Sequence, residues 1–200
     1  MAHLNPLQNH EVDAELQDVF THYENTRGFC PNSVKTMARR PNIAKAFGRL
    51  NQVVLYEGTV SEDLKMLVAL ASSVASGCRY CQSHMANLSS IYNVPDNKIA
   101  ALWEFESSDL FTEGERAAIR LGLKAGMLPN DASEEDFEAL SKHFTESEIV
   151  EIVATIALFG YLNRWNDTMA TELEAHPANV AERAIGLKMH VVAFDPFLSP

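Results

Sequence analysis

The sequence predicts an all-α protein, and three observations support this prediction. Apolar residues recur at intervals of three and four along most of the chain, which is the period of an amphipathic helix. Stretches that alternate apolar and polar residues, the pattern of strands, are nearly absent. A hydroxyl residue followed three positions later by an acid, the capping-box pattern, precedes an apolar run at Thr59/Glu62, Thr112/Glu115, Ser133/Asp136 and Thr145/Glu148.

The helices follow in order from these starts and from the breaks between them. Because Gly and Pro interrupt helices, breaks are expected at Gly28 to Asn32, Pro41, Gly77, Pro95, Pro129 and Pro177. The predicted helices cover residues 11–25, 41–57, 61–76, 78–92, 95–104, 113–126, 133–143, 146–172 and 177–190. No linker rich in Gly, Ser or Pro separates them, so residues 1–200 are expected to form a single domain.

Two of the predicted helices, LKMLVALASSVA and IVEIVATIALFGYL, are apolar on almost every face. Such helices are expected inside a helical assembly, and they need more cover than one small bundle offers, which predicts a homo-oligomer. The same two stretches suggest a weak internal repeat of residues 59–92 in residues 145–178. In that alignment Leu67 matches Val153 and Cys81 matches Asp167.

Composition excludes several classes of partner. The chain has 16 Lys and Arg against 27 Asp and Glu, a net charge of −11 that repels phosphate backbones and anionic lipid. We therefore expect neither a nucleic-acid nor a membrane partner. The N-terminus lacks the basic start and apolar run of a signal peptide, which predicts a cytoplasmic location. In a reducing compartment, two close cysteines suggest redox or metal chemistry.

The stretch SGCRYCQSHM contains the spacing C-x-x-C-x-x-H, formed by Cys78, Cys81 and His84. On a helix, residues three apart lie on one face about 5–6 Å from each other, so Cys81 neighbours both Cys78 and His84. Gly77 breaks the preceding helix, which places Cys78 in a first turn where free N–H groups and the dipole favour a thiolate. His84 can hydrogen-bond to that thiolate or carry a proton to a leaving group.

Other interpretations of the same residues remain open. A structural zinc site needs four ligands, but the chain supplies one C-x-x-C and scattered histidines. Inert buried thiols are a further alternative, because free cysteine is among the most often buried residue types. Cys30, in GFCPN, is assigned no role. No flavin, haem or nicotinamide motif is present, so we expect no cofactor and assign the chemistry to side chains or to an undetected metal.

An apolar helix followed by CRYCQSH resembles the core motif of the AhpD-like, peroxidase-related branch of the carboxymuconolactone decarboxylase family. The segments GFCPNSV, RRPNIAKAF, ERAAIRL and HFTESEIVEIVATIALFGYLNRWND extend the resemblance over residues 25–175. It implies an all-helical fold that assembles as dimers, trimers or hexamers, and a dithiol that reduces a small peroxide. By this resemblance Cys81 attacks the peroxide, Cys78 resolves the sulfenic acid, and an external dithiol or thiol protein reduces the disulfide.

The chain departs from the family's proton-relay pattern at three positions. Where that pattern has a glutamate and two histidines, this sequence has Met66, Tyr80 and Met85. His84, shifted by one residue, can replace part of the relay, and Tyr80 and Glu62 are candidate supporting groups.

The segment NRWND, at the end of the last long apolar helix, is both polar and aromatic. Its residues Asn163, Trp165, Asn166 and Asp167 are expected to line a pocket or a subunit contact. The alternative is a helix that leaves the core and is anchored there by its tryptophan.

The leading functional hypothesis is a thiol-dependent peroxidase with an antioxidant role. A general thiol–disulfide oxidoreductase or redox sensor would use the same cysteines without consuming peroxide. A decarboxylase like the family's namesake would need neither cysteine. A non-enzymatic helical oligomer would bury both thiols.

Overall fold

The computed structural model describes residues 2–188 of the chain. Within these residues ten α-helices, α1 to α10, account for the architecture, and no β-strand is present. The all-α prediction is therefore confirmed. The helices are α1 (Gln17–Arg27), α2 (Asn32–Met37), α3 (Pro41–Tyr56), α4 (Glu62–Ala75), α5 (Arg79–Ile91), α6 (Asp96–Ala100), α7 (Glu113–Gly126), α8 (Glu134–Leu140), α9 (Glu146–Met169) and α10 (Ala175–Ile185). Short 3₁₀ segments lie at Asn9–Glu11, Ala14–Leu16 and Ala101–Glu104.

The predicted helices are found, with two differences. Helix α2 begins at Asn32, where the predicted break ends, and runs to Met37. No helix was predicted between this break and Pro41. Pro177 was expected to be the first residue of the last helix, but α10 begins two residues earlier, at Ala175, and Pro177 lies in its first turn, where its missing N–H has no intrahelical partner to lose. Residues 189 and 190 of the last predicted helix lie outside the described residues.

Three of the four predicted capping boxes form, at Thr112, Ser133 and Thr145. The prediction for Thr59/Glu62 is wrong, because α4 begins at Glu62 with Ser61 as its N-cap residue. The Thr59 N–H instead donates to the carboxylate of Glu151, which reaches it from α9. The carboxylate of Glu151, 92 residues away, therefore takes the place of Glu62 as the partner of Thr59.

Helix α4 lies at the centre of the molecule. All of its residues from Leu64 to Ser73 are buried, and it packs against α5, α7 and α9. This confirms the expectation that an all-round apolar helix lies inside. Helix α9 differs, because Val150, Val153 and Tyr161 form an exposed apolar stripe along it. The proposed internal repeat stays a prediction, although α9 is continuous where the first unit breaks between α4 and α5.

Helix α7 approaches α4 closely through two glycines. A Cβ atom at Gly122 would lie 3.0 Å from the carbonyl oxygen of Val68, and one at Gly126 would lie 2.7 Å from that of Ser72. Backbone contact of this kind fixes the last turns of α4, from which the chain continues to the two cysteines. Within residues 2–188, no helix has both the length and the hydropathy needed to cross a bilayer.

Candidate active site

The two cysteines of the C-x-x-C motif lie where α4 ends and α5 begins. Gly77 has φ +76°, a conformation that glycine adopts without steric cost, and it turns the chain between the helices. Cys78 is the N-cap residue of α5, and its Sγ accepts a hydrogen bond from the Cys81 N–H at 3.4 Å. Both thiols are free, so the dithiol is present in its reduced form.

Cys81 is held from α9 by a residue of the NRWND segment. Its side chain is only 2% exposed, and its Sγ accepts a hydrogen bond from Asn166 Nδ2 at 3.3 Å. An amide N–H directed at sulfur stabilises negative charge there. The Asn166 amide also donates to the carbonyl of Leu162, one turn earlier, which fixes its position.

The position of Cys78 at a helix start would favour its thiolate, but the contacts of its side chain act in the opposite direction. Its hydrogen bond with the Cys81 thiol, together with burial and the negative charge that Cys81 would carry, raises the pKa of Cys78. A side-chain hydrogen bond with Asp167 acts in the same direction. These contacts act against the Cys78 thiolate expected at a helix start, and that expectation stays a prediction. Cys78 remains a thiol under conditions in which an ordinary cysteine begins to ionise.

His84, two turns along α5 from Cys78, forms a short hydrogen bond with Glu174. The distance from His84 Nε2 to Glu174 Oε2 is 2.7 Å. The other carboxylate oxygen accepts the hydroxyl of Tyr80 at 3.1 Å and the N–H of Asn32 at 2.5 Å. The Tyr80 ring stacks on the His84 imidazole with centroids 4.4 Å apart. Tyr80 thus supports His84 through Glu174 as well as by direct stacking.

Glu174 is ionised in this arrangement despite its burial. Burial alone would raise its pKa, but the positive charge available on His84 and the hydrogen bonds from His84 and Asn32 outweigh it and hold the pKa of Glu174 below its usual range. A buried carboxylate bonded to a histidine fixes the orientation of the ring. Glu174 lies 90 residues from His84 in sequence and belongs to no motif, so sequence reasoning missed it.

The structure places the other predicted site residues differently. Within residues 2–188, the side-chain hydrogen bond of His84 is to Glu174 and not to Cys81. His84 and Cys81 nevertheless line the same cavity. Glu62 is exposed at the start of α4 and does not line that cavity. Met66 is buried in the core, whereas Met85 lines the cavity beside His84.

The cavity above Cys81 is mostly apolar and has polar groups at defined points. Three of its polar residues, Tyr23, Arg27 and Asn51, were not expected from the sequence because they are far from the cysteines and from any motif. The complete lining is Tyr23, Arg27, Pro31, Ser33, Val34, Phe47, Asn51, Leu55, Tyr80, Cys81, His84, Met85, Phe159, Leu162 and Asn166.

The NRWND segment divides between two surfaces. Asn166 reaches the cavity with Cys81, whereas Asn163 and Asp167 line a separate groove between α4, α7 and α9. Trp165 stacks on Tyr161 with ring centroids 6.1 Å apart. Within residues 2–188, no three His, Cys, Asp or Glu side chains are grouped to hold a metal ion.

Comparison with known proteins identifies the family. Residues 41–124 match the model of the carboxymuconolactone decarboxylase family. None of the curated proteins compared with the chain matches it. The debrominase Bmp8 is 35% identical, with a TM-score of 0.85 over 91% of this chain and 97% of the debrominase. A cysteine-to-alanine variant of Bmp8, in complex with 2,3,4-tribromopyrrole, is equally similar.

Two peroxidase-related proteins share the fold at lower identity. One, the alkylhydroperoxidase AhpD core protein from Ralstonia eutropha JMP134, is 23% identical with a TM-score of 0.75 over 88% of this chain and 94% of its own. Another, from Silicibacter sp. TM1040, is 19% identical with a TM-score of 0.76 over 88% of this chain and 93% of its own. The chain belongs to the carboxymuconolactone decarboxylase family, and its fold is that of the AhpD-like branch. The family and the debrominase indicate an enzyme.

Proposed function

We propose that this protein is a dithiol-dependent peroxidase that reduces small organic hydroperoxides. One observation carries the proposal: two free thiols share the first turn of α5, and Cys81 lines a cavity together with His84, whose ring is bonded to Glu174. A nucleophile, a neighbouring thiol that can resolve it and a proton donor are the groups that such a reaction needs.

The environments of the two thiols suit different roles. Cys81, with the Asn166 amide directed at its sulfur, is the attacking thiolate. Cys78, whose pKa is raised by its contacts and by burial, keeps its proton and is the resolving thiol. Thiolate attack breaks the O–O bond and gives Cys81 sulfenic acid and an alkoxide, which takes a proton to become the alcohol. The Cys78 thiol then condenses with the sulfenic acid to give the disulfide and water.

His84 is the proton donor in this scheme. Its ring lines the cavity, and the hydrogen bond to Glu174 fixes its orientation there. An external dithiol or thiol protein then reduces the Cys78–Cys81 disulfide by exchange, and its own thiols are oxidised in turn.

A second candidate is reductive dehalogenation of a small aromatic ring. Bmp8, with 35% identity, is a debrominase. The present cavity has the apolar side chains of Phe47, Met85 and Phe159 in its wall. In that reaction the Cys81 thiolate takes the halogen as a cation equivalent, the ring carbon gains a proton, and the Cys78 thiol displaces halide to form the same disulfide. Peroxide reduction and dehalogenation both oxidise the two thiols to one disulfide, a loss of two electrons. The same dithiol therefore serves either substrate.

The decisive experiment exposes the reduced protein to one equivalent of cumene hydroperoxide or, separately, of 2,3,4-tribromopyrrole. Mass spectrometry then follows the Cys78–Cys81 disulfide and the reduced product. The expected result is disulfide formation with cumene hydroperoxide, abolished by Cys81→Ser. Cys78→Ser should stop at a sulfenic acid that an added thiol can trap. Cys30→Ser, a matched change of a buried cysteine outside the cavity lining, should react like the wild type.

Each alternative has its own outcome in this experiment. Disulfide formation with tribromopyrrole alone would replace peroxidase by dehalogenase. Disulfide formation with oxidised dithiols but with neither substrate would favour general thiol–disulfide exchange. Full turnover of either substrate in both Cys→Ser variants would overturn the dithiol mechanism. Carboxymuconolactone decarboxylation that survives those substitutions would favour the cysteine-independent reaction.

A further inference from the structure

The two thiols of the C-x-x-C motif have different surroundings. Cys81 lines the cavity with His84, whereas Cys78 is not among the described residues that line it. The Cys78 side chain is completely buried, so no bulk water reaches its sulfur. A thiol that attacks a sulfenic acid has to lose its proton, because the thiolate is the nucleophile. A buried resolving thiol therefore needs a protein group that accepts this proton.

Asp167, near the end of α9, supplies a carboxylate at the Cys78 thiol. The two side chains are in hydrogen-bond contact, and because an ionised carboxylate can only accept, the thiol is the donor. The preceding residue, Asn166, donates its amide N–H to the Cys81 sulfur at 3.3 Å. Two successive residues of α9 thus contact the two sulfurs, with a donor at Cys81 and an acceptor at Cys78.

Asp167 also connects Cys78 with solvent. Its side chain is exposed and lines the groove of about 500 Å³ between α4, α7 and α9, whereas the cavity beside Cys81 has about 30 Å³ of free space. Arg164 is the other charged residue of the groove, and the residues that α4, α7 and the loop after α7 contribute to it are uncharged. No ion pair within residues 2–188 involves Asp167. A proton on this carboxylate can therefore pass to water in the groove without crossing the substrate cavity.

The position of Asp167 in the helix is unfavourable for an acid. Helix α9 ends at Met169, so Asp167 lies in its last turn. The negative end of the helix dipole lies there and destabilises a nearby carboxylate. Helix stability therefore gives no reason for an acid at this position.

We propose that Asp167 is the general base for the resolving thiol. As the Cys78 sulfur attacks the Cys81 sulfenic acid, the thiol proton passes to Asp167, the S–S bond forms and the S–O bond of Cys81 breaks. The departing hydroxide takes up one proton from solvent, and Asp167 releases one into the groove, so the products are the disulfide and one water. This role rests on the proposed function, because only a dithiol cycle contains the resolving step.

The test separates the resolving step from the attack on peroxide. Reduced protein is mixed with one equivalent of cumene hydroperoxide, and samples taken over time are treated with dimedone, which traps sulfenic acid. Mass spectrometry then measures the trapped Cys81 and the Cys78–Cys81 disulfide separately. In Asp167→Asn, the sulfenic acid should form at the wild-type rate, whereas the disulfide should form at least about tenfold more slowly, since general base catalysis contributes that much or more.

The pH dependence distinguishes a base from a merely structural residue. The rate of disulfide formation in the wild type should vary little between pH 6 and 9, because the carboxylate takes the proton throughout. In Asp167→Asn only the ionised Cys78 thiol can attack, so this rate should rise about tenfold for each pH unit. The difference between the two proteins should therefore shrink as the pH rises.

Chemical rescue tests the same role with a second variant. Asp167→Ala leaves a space beside Cys78 that faces the groove, and added formate, a small carboxylate, should restore part of the rate of disulfide formation. Thr168→Ala enlarges the same groove without removing an acid, and Asp109→Asn removes an exposed acid elsewhere. Both controls should resolve at the wild-type rate with no response to formate. The Tm of Asp167→Asn should equal or exceed that of the wild type, because the variant removes a charge that the helix dipole disfavours.

A wild-type rate of disulfide formation in Asp167→Asn would overturn this inference alone. A slower rate that keeps the wild-type pH dependence, with no rescue of Asp167→Ala by formate, would also overturn it, because Asp167 would then act only on structure. If the wild type formed neither a Cys81 sulfenic acid nor the disulfide, the proposed function would be wrong, and this inference would be wrong with it.

Discussion

At the scale of single residues, Glu174 organises two side chains and one backbone N–H. It binds His84, Tyr80 and the N–H of Asn32, and it thereby joins α2, α5 and the segment before α10. Replacing one carboxylate oxygen by an amide would break this pattern, because an amide nitrogen cannot accept the hydrogen bonds that Glu174 accepts. The positioning of His84 is thus open to a direct test.

We expect Glu174→Gln to lower peroxide turnover about tenfold or more, since general acid catalysis contributes at least that much when the donor is well placed. The loss should appear in kcat, with a changed pH profile, because the variant removes the ionised Glu174 carboxylate that holds the His84 ring in position. Steady-state kinetics from pH 5 to 9 would measure both. Glu172→Gln, an exposed change two residues away, is the matched control. An unchanged kcat and pH profile would remove Glu174 from the mechanism.

The same variant should change the acid stability of the protein in a defined direction. The folded-state pKa of Glu174 lies below its ordinary value of 4.5. Its contribution to stability is therefore complete above about pH 4.5 and is lost as the pH falls through the folded-state pKa. The difference in Tm between the wild type and Glu174→Gln should be largest near pH 7 and shrink below pH 4.5. A difference that stays constant from pH 7 to 3 would contradict this.

Sequence reasoning reached the dithiol but not its surroundings. Cys78, Cys81 and His84 were found because they repeat at the spacing of one helix, and spacing is visible in a sequence. Arg27 and Asn51 come from other helices and line the cavity, and Glu174, just before α10, reaches His84; only the packed structure brings these residues together. Asn166 is intermediate, because the sequence marked NRWND as unusual but offered no means of pairing it with Cys81.

At the scale of helices, the junction before α4 depends on a contact with α9. Glu151 accepts the N–H groups of Thr59 and Val60, at 2.9 and 3.1 Å, and pairs with the buried ammonium of Lys65 at 2.9 Å. Burial alone would raise the pKa of Glu151, but these partners outweigh it and lower the pKa to about 2. Gly58 beside it has φ +102°, a conformation that favours glycine, and a Cβ there would lie 2.3 Å from a carboxylate oxygen of Glu151.

We expect Glu151→Gln to lower the free energy of unfolding by about 2–4 kcal/mol at pH 7, because it leaves the buried Lys65 charge without its counter-ion. Urea denaturation followed by circular dichroism would measure the change. Glu138→Gln, an exposed change on α8, should alter stability by less than about 0.5 kcal/mol. A similar small effect at position 151 would show that the ion pair contributes little. The prediction of a capping box at Thr59/Glu62 failed because the actual partner of Thr59 is Glu151. A partner 92 residues away cannot be inferred from a local pattern.

At the scale of the whole molecule, several exposed apolar residues lie on two neighbouring helices. Ile43, Leu50 and Val53 form a stripe along α3, and Val150, Val153 and Tyr161 form another along α9, which packs beside α3. Because the two helices are neighbours, we expect the stripes to form one apolar face. Faces of this kind on a folded chain favour contact with another protein surface. The homo-oligomer expected from the sequence stays a prediction, and this face is where we place the contact.

We expect the wild type to sediment as a species larger than the 22.2 kDa chain, and the double variant Leu50→Glu/Val153→Glu to sediment as a monomer. Two charges at the face would have to be buried without partners in the oligomer, which is costly. Leu128→Glu, at a site that is 80% exposed and outside the face, should leave the mass unchanged. Monomeric wild type, or a double variant of unchanged mass, would contradict the assignment.

The close approach of α7 to α4 has a consequence for recognising distant relatives. Gly122 and Gly126 are required by backbone contact and not by chemistry, so natural selection on the fold should preserve a small residue at both positions even in chains that have lost both cysteines. The glycine pair would therefore indicate shared ancestry, whereas the C-x-x-C motif would indicate the proposed dithiol chemistry. Relatives that keep the glycines but lack the dithiol would then be members of the lineage that had adopted a different reaction.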